Sequence, residues 1–399
     1  MNLRGYLTVT AAYWSFTLTD GALRLLVLLH FHQQGLSPIA LSLLFLLYEF
    51  CGVITNLFGG WWAARSGLKV TLVAGLALQI VALLTLSLFD STWETALAIS
   101  YIMGTQALSG VAKDLTKMSA KSSVKVLVPG SDETSDRKLL RWVAALTGSK
   151  NALKGVGFFL GGALLSAFGF RGALWAMAVG LLCIFALALF FHKETGRTKS
   201  KVKFTDLLSK SRQINWLSLA RVFLFASRDV WFVVALPLFL SETFGWDFYQ
   251  VGGFMAAWVI GYGIIQAGAP QLVRGKGQSA AVQSAVVWCV GLAAVISLVA
   301  ALATLNLWLS GVILVGLFIY GAVFAVNSSL HSYLILAFSK NEDVTLSVGF
   351  YYMANAWGRL LGTLLSGLIY QFFGLNGCLW VSFCLVVLST LSVAPLRKA

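Results

Sequence analysis

Long apolar stretches follow one another along the whole chain, and this pattern constrains its fold more than any other feature. Of the 399 residues, 58% are hydrophobic and only 11% are charged. Soluble domains contain about 25% charged residues, so the chain is far from that class. A helix of about 20 apolar residues spans the hydrocarbon core of a bilayer. The sequence therefore predicts an all-α polytopic membrane protein.

Hydropathy divides the chain into twelve predicted transmembrane helices. Their windows are 6–31, 39–63, 70–90, 95–120, 141–166, 170–191, 216–241, 248–273, 279–303, 307–338, 343–372 and 374–395. Basic residues concentrate in the loops that follow the even-numbered windows, whereas the opposite loops are mostly acidic. The positive-inside rule therefore predicts that both termini are cytoplasmic.

A basic polar stretch containing HKETGRTKSKVKF separates the chain into two similar halves. Asp20 and Asp229 lie mid-span in the first helix of each half, 209 residues apart, and Gly67 and Gly275 close corresponding loops, 208 residues apart. Six spans repeated in parallel are the plan of the major facilitator fold, with a substrate site between the halves. The predicted domains are an N-terminal six-helix bundle over 1–191, a cytoplasmic linker over 192–215 and a C-terminal six-helix bundle over 216–399.

The loop after the second window reads GGWWAARSGLK and resembles the loop motif of the major facilitator superfamily. Ala64 stands where the family has Asp, which puts in question the charge lock that this carboxylate usually forms with neighbouring helices. An ordinary basic loop with glycine turns is the alternative. The predicted gating-loop residues are Gly60, Arg65, Gly67 and Lys69.

Basic side chains outnumber acidic ones inside the apolar stretches. A charge at the bilayer centre costs about 2.5–3.5 kcal/mol on insertion scales, so such residues persist mainly where they face water, an opposite charge or a ligand. The basic residues are Arg24, Lys113, Lys117, Lys150, Lys154, Arg221, Arg228 and Arg359, and the acidic ones are Asp20, Glu49, Asp114 and Asp229. The positive surplus predicts a pathway for a multiply charged anion.

Two arginines are predicted to hold this anion together. Arg24 follows Asp20 by one helical turn, and Arg228 lies near the middle of the first helix of the second half. Arginine offers a planar fork of donors that suits phosphate-like or carboxylate oxygens. Organophosphate–phosphate antiporters of the superfamily are similar in using one arginine from each of these helices. An Asp20–Arg24 pair that merely eases insertion is the alternative.

Paired lysines extend the predicted anion site. Lys113 and Lys117, and likewise Lys150 and Lys154, are four residues apart and share a helical face. Lys154 lies about 20 Å along its helix from Arg141, too deep for an easy reach to the interface, whereas Lys113 and Lys117 have snorkelling as an alternative. The predicted substrate-binding residues are Arg24, Lys113, Lys117, Lys150, Lys154, Arg228, Arg359, Asn327 and Asn355.

Proton coupling is expected to use buried titratable groups, and exchange for phosphate stays open. The candidates are Asp20, Glu49, Asp229 and His331, with a hydrogen-bonded structural role as the alternative for His331. The sequence contains no P-loop, HExxH or GxSxG, so we predict neither enzymatic activity with catalytic residues nor a cofactor. The five cysteines are single, which predicts no metal site.

Three long stretches resemble the ArsJ-type organoarsenical efflux permeases: MNLRGYLTVTAAYWSFTLTDGALR, ALSGVAKDLTKMSAKSSVK and TGSKNALKGVGFFLGG. That family exports 1-arseno-3-phosphoglycerate, which glyceraldehyde-3-phosphate dehydrogenase forms when it uses arsenate in place of phosphate. The resemblance implies an arsenate-resistance transporter of the bacterial inner membrane, functionally linked to that dehydrogenase. We expect a monomer whose partners are a small anion and the lipid bilayer, with no nucleic acid. An organophosphate/phosphate or other organic-anion exchanger is the alternative.

Overall fold

The protein is described by a computed structural model that covers residues 3–127, 133–191, 211–272, 278–339 and 344–398. These ranges are helical apart from short connections and end in a 3₁₀ turn over Ala394–Lys398. The helices are α1 (Leu3–Gln33), α2 (Pro38–Leu44), α3 (Leu46–Ser66), α4 (Leu68–Ser87), α5 (Thr95–Leu127), α6 (Glu133–Phe191), α7 (Arg212–Phe232), α8 (Ala235–Phe244), α9 (Phe248–Leu272), α10 (Gln278–Thr304), α11 (Leu309–Phe338) and α12 (Val344–Val393).

Every predicted transmembrane window has a helical counterpart, and the prediction of an all-α fold is confirmed. The fifth and sixth windows form the 59-residue α6, which kinks at Gly169, and the last two form the 50-residue α12, which kinks at Gly374. Both glycines have positive φ, +66° and +61°, a conformation that glycine adopts without a Cβ clash. Of the predicted linker, residues 192–210 lie outside the described residues, and 212–215 already belong to α7.

Eight helical stretches within the described residues are long and apolar enough to cross a membrane by length and composition. Two of these stretches contain the Gly169 and Gly374 kinks and each correspond to two predicted windows. Helices α1 and α5 are not among the eight, and both carry charges in their interiors, such as Asp20 and Asp114. The protein is therefore a multi-pass membrane protein with charged side chains within its helices.

The chain forms two compact units that do not follow chain order. The first unit contains Met1–His30, Ile54–Val202 and Phe248–Ile260. The second unit contains Phe31–Val53, Lys203–Asp247 and Gly261–Ala399. Each unit thus combines helices of one half of the sequence with a segment from the other half. The predicted domain boundaries at 191 and 216 stay a prediction.

Small residues allow close helix packing in the first unit. A Cβ at Gly157 of α6 would lie 2.6 Å from the carbonyl oxygen of Leu18 in α1, and one at Gly155 would lie 2.8 Å from that of Ala256 in α9. Membrane helices associate through such contacts because lipid tails provide no hydrophobic driving force between them. Helix α6 therefore packs closely on both α1 and the first part of α9.

The second unit is organised around the contact between α7 and α12. Gly358, Gly362 and Ser366 recur every four residues and place small side chains on the face of α12 that meets α7. Where α7 gives way to α8, the Ser366 hydroxyl oxygen accepts hydrogen bonds from the backbone N–H groups of Val234 and Ala235, at 3.2 and 3.1 Å. An unsatisfied backbone group in a bilayer costs several kcal/mol, so this hydroxyl stabilises the helix break.

Candidate functional site

Four charged side chains of the second unit form what we call the charge cluster: Glu49 of α3, Arg228 and Asp229 of α7, and Arg359 of α12. Arg359 Nη2 lies 2.5 Å from Glu49 Oε1, and its Nε lies 3.8 Å from Asp229 Oδ2. Arg228 Nη2 lies 2.5 Å from Asp229 Oδ1. The two carboxylate side chains are only 1–2% exposed, whereas the two arginines are 16–18% exposed. The cluster is therefore largely withdrawn from solvent and neutral in formal charge.

Close packing of α7 and α12 positions this cluster. A Cβ at Gly362 would lie 2.7 Å from the Cβ of Asp229, so the absence of a side chain lets the two helices approach at this level. Arg359 lies one turn before Gly362 on the same helix, and its side chain contacts Glu49 of α3 and Asp229 of α7. Removing one partner of a buried ion pair leaves an uncompensated charge, so the four side chains depend on one another.

The structure joins residues to which the sequence assigned different roles. Arg228 and Arg359 were predicted to bind substrate, and Glu49 and Asp229 were predicted to couple protons. In the structure the two arginines are the ion-pair partners of the two acids. Their predicted roles stay predictions, but any ligand of these arginines has to compete with a carboxylate that is already in place.

A second group of polar side chains surrounds Arg221, and we call Arg221, Tyr262, Gln266, Ser328 and Asn355 the Arg221 network. Arg221 is 5% exposed; its Nε donates to Asn355 Oδ1 and its Nη1 to the Ser328 carbonyl oxygen, both at 3.1 Å. The Ser328 hydroxyl accepts from the Tyr262 hydroxyl at 3.3 Å and from Gln266 Nε2 at 3.4 Å. Arg221 thus bonds Asn355 of α12 and the Ser328 backbone of α11, and the two side chains of α9 bond the Ser328 hydroxyl.

Two aromatic rings lie close to the Arg221 guanidinium. Its Cζ lies 4.0 Å from the ring centroid of Phe225 and 4.9 Å from that of Tyr351. Arg228 Cζ lies 4.8 Å from the same Phe225 ring, so this ring contacts both guanidinium groups. The spacing of four and then three residues puts all three side chains on one face of α7. Cation–π attraction favours both arginines without neutralising either charge.

His331 lies beside this network with unused hydrogen-bonding groups. It is 0% exposed, and neither ring nitrogen has a hydrogen-bond partner. His331 follows Ser328, whose carbonyl oxygen accepts from Arg221, by three residues on α11. An unsatisfied buried polar group costs about 1–3 kcal/mol. The sequence pattern identified His331 as a proton-coupling candidate and Asn355 as a substrate-binding candidate. It identified Arg221 only as a basic residue within an apolar stretch.

In the first unit, Asp114 of α5 organises a smaller polar group. Its Oδ1 lies 3.1 Å from Lys117 Nζ, and its Oδ2 accepts from the Thr55 hydroxyl at 2.7 Å. Lys117 Nζ also donates to Asn56 Oδ1 at 2.8 Å. Asp114 is 1% exposed. Lys117, predicted to bind substrate, therefore has a carboxylate partner, while Thr55 and Asn56 were not identified from the sequence.

The other predicted basic residues of the first unit are partly buried on their helices. Arg24, Lys113, Lys150 and Lys154 all have intermediate exposure, and Lys154 Nζ lies 5.7 Å from the Phe158 ring centroid. Arg24 belongs to the first unit and Arg228 to the second, and their predicted joint binding of an anion stays a prediction. Asp20, 8% exposed, lies one turn before Arg24 on α1.

The predicted gating loop is a tight connection between α3 and α4. Gly67 is its single linking residue and has a φ of +89°, and Lys69 Nζ donates to the Leu189 carbonyl oxygen at 3.1 Å. The surroundings of Gly60 and of the Arg65 side chain lie outside what the structure describes. Lys69 thus forms a hydrogen bond with the backbone near the end of α6.

Two predictions remain to be compared with the structure, the substrate-binding role of Asn327 and the absence of a metal site. The Asn327 amide accepts from the Cys289 thiol at 3.3 Å and donates to the Val323 carbonyl oxygen at 3.4 Å, and the residue is 0% exposed. Its contacts lie within the bundle, and its predicted substrate role stays a prediction. Within the described ranges, no group of three His, Cys, Asp or Glu side chains has the arrangement to hold a metal ion.

Comparison with known proteins gives a match over most of the chain. The family model of the Major Facilitator Superfamily matches residues 6–335. The crystal structure of a D-xylose–proton symporter is similar with a TM-score of 0.72 at 14% sequence identity, covering 98% of this chain and 97% of that chain. At this identity the likeness shows the fold alone. No curated protein sequence matches the chain.

Proposed function

Because the chain belongs to the major facilitator superfamily of secondary transporters, we propose that its cargo is a small, multiply charged organic anion. Members of this fold expose a site between their two halves alternately to either side of the membrane. The proposal concerns the charge of the cargo and the direction of transport, which is out of the cytoplasm.

The observation that supports this proposal is the excess of basic over acidic side chains within the helices. The helices carry eight deep basic residues and four deep acidic ones. Asp114 is paired with Lys117, and the two acids of the charge cluster are paired with Arg228 and Arg359. The helix interiors therefore keep a surplus of positive charge. Since charge at this depth is costly, an anionic cargo that compensates it is favoured over a neutral or cationic one.

The specific cargo that we propose is 1-arseno-3-phosphoglycerate. The support for it is the resemblance of the three sequence stretches to organoarsenical efflux permeases, together with the charge of the helices. This compound carries a phosphate and an arsenate group and no cationic group, which suits a positively charged pathway. Export would confer arsenate resistance on a bacterium that has the dehydrogenase forming the compound, with the protein in its inner membrane.

The test is arsenic uptake into everted membrane vesicles that contain the protein. Arsenate is supplied either alone or with glyceraldehyde-3-phosphate, its dehydrogenase and NAD. We expect uptake only with the full mixture, and vesicles from cells lacking the protein are the control. Uptake from arsenate alone would indicate an oxyanion exporter instead. Absence of uptake by the folded protein would contradict the proposal and favour an organophosphate/phosphate exchanger, which is tested by phosphate counterflow in the same vesicles.

A further inference from the structure

Arg221 differs from the other arginines of the second unit in how its charge is compensated. Arg228 and Arg359 have carboxylate partners. Among the described residues, no ion pair joins Arg221 to a carboxylate, and its polar contacts are an amide oxygen and a backbone carbonyl. The residue is nevertheless 5% exposed. A buried cation held only by neutral groups is a favourable place for an anion.

The donors around Arg221 are more numerous than the acceptors that the protein supplies. A guanidinium has five N–H donors, and two of its nitrogen atoms donate in the structure, to Asn355 and Ser328. Since the Asn355 amide oxygen accepts one of these bonds, its NH₂ group points elsewhere as a further donor. His331 adds an imidazole N–H that has no partner. Arg221, Asn355 and His331, which lies one turn from Ser328, therefore offer more donors than the two acceptors that bond Arg221.

The rings around Arg221 favour a ligand with several oxygens. Phe225 and Tyr351 contact the guanidinium and restrict the orientation of its plane. A planar fork in a fixed orientation binds two oxygens of one ligand at the same time, which a spherical ion cannot exploit. Phosphate has this geometry, and its remaining oxygens suit the amide and imidazole donors.

We propose that Arg221, Asn355 and His331 form a binding site for a tetrahedral oxyanion within the second unit. The bound group is either free phosphate or the phosphoryl end of an organic anion, and only the second source depends on the proposed function. The anion compensates the buried charge of Arg221 and provides an acceptor for the imidazole N–H of His331. The site is separate from the charge cluster, where carboxylates already occupy the arginines.

Direct binding of inorganic phosphate to the purified full-length protein tests the site. Equilibrium dialysis with radiolabelled phosphate is performed on the wild type and on Arg221→Gln. We expect saturable binding by the wild type and at least about tenfold weaker binding by the variant, the loss typical of one charge-assisted hydrogen bond. The matched control is Arg212→Gln, an exposed arginine at the start of the same helix, which leaves binding within twofold of the wild type.

A second pair of variants keeps the test decisive if Arg221→Gln does not fold. Arg221→Lys retains the buried charge but loses the fork, and Asn355→Ala retains the arginine but loses an amide donor. We expect both to weaken phosphate binding while the proteins elute as the wild type does on gel filtration. The proposal is overturned if the wild type binds no phosphate, or if folded Arg221→Lys and Asn355→Ala both bind it as the wild type does.

Vesicle uptake by Arg221→Lys distinguishes the two sources of the oxyanion. Loss of both phosphate binding and arsenic uptake assigns the site to the phosphoryl end of the cargo. Loss of phosphate binding with unchanged uptake assigns it to free phosphate, and both results support the site. Wild-type protein that binds phosphate but takes up no arsenic would contradict the proposed function and leave the oxyanion site standing.

Discussion

Arg359 contacts carboxylates from two other helices, and this makes it the central residue of the charge cluster. It reaches Glu49 on α3 and Asp229 on α7, and Asp229 also contacts Arg228. Arg221, two turns before Arg228 on the same helix, is instead surrounded by an amide, a carbonyl and two rings. Arg359 is therefore compensated by carboxylates and Arg221 by neutral groups, because their neighbours on other helices differ.

Replacing Arg359 with Met is expected to destabilise the protein by about 3–5 kcal/mol, since it removes the arginine that contacts two buried carboxylates, Glu49 and Asp229. The measurement is denaturant unfolding of the purified protein in detergent micelles. Adding Glu49→Gln to Arg359→Met should restore part of the stability, because one of the two buried negative charges that lose Arg359 is then gone and Asp229 keeps Arg228. If the two substitutions are simply additive, Glu49 and Arg359 do not stabilise one another.

At the scale of helices, the contact between α7 and α12 determines where the polar side chains meet. Gly358 and Gly362 bring the helices together, and Asn355 and Arg359, one turn apart, then reach Arg221 and Asp229 on α7. The charge cluster and the Arg221 network therefore lie at successive levels of one helix pair. A change in the spacing of this pair affects both.

Gly362→Ala is expected to destabilise the second unit by about 1–3 kcal/mol, the usual range for overpacking. Its Cβ would lie 2.7 Å from the Asp229 Cβ and 2.9 Å from the Ala226 carbonyl oxygen, so the helices would have to separate. Gly180→Ala in α6 is the matched control, because a Cβ there meets nothing within 4 Å. Thermal unfolding in micelles compares the two variants, and an equal midpoint for both would contradict close packing at Gly362.

Ser366→Ala is expected to destabilise the protein by about 1–3 kcal/mol, because it removes the acceptor of two buried backbone N–H groups at the α7–α8 break. Hydrogen exchange at Val234 and Ala235 should rise in the variant. Ser297→Ala is the control, since this exposed hydroxyl donates only to the Ala294 carbonyl oxygen within its own helix. Unchanged exchange at the break would mean that water or neighbouring carbonyl groups serve these N–H groups instead.

At the scale of the whole molecule, the predicted arginine pair combines residues from both halves of the sequence. Arg24 and Arg228 belong to the first helix of each half. The two compact units each contain segments from both halves, with residues 31–53 in the second unit and 248–260 in the first. Neither unit therefore coincides with one half of the sequence.

Arg24→Ala and Arg228→Ala are each expected to abolish anion transport while the protein still inserts into the membrane. The physical reason is that each removes a guanidinium fork at the predicted midplane of the pathway. Vesicle uptake is measured at matched protein levels, with Arg212→Gln as the control. Arg→Lys at either position should also be severe, and normal transport by an Ala variant would show that the arginine pair is not the anion site.

The positions of the helical segments and the all-α class of the fold follow from the amino-acid sequence alone. In a bilayer the backbone satisfies its hydrogen bonds within each helix, so local hydropathy suffices to place the helical segments. The same local pattern identified the deep charged residues, including Glu49, Arg228, Asp229 and Arg359, and the family match extends over residues 6–335.

Which of these side chains meet depends on the packing of the helices against one another. Glu49 and Arg359 are 310 residues apart, and Arg221 and Asn355 are 134 residues apart. Their contacts depend on how each helix is rotated and on how closely α7 and α12 approach at Gly362. Hydropathy describes one helix at a time, whereas an ion pair between helices depends on the packing of at least two. The fold could therefore be predicted from the sequence, whereas the partners of the buried charged side chains could not.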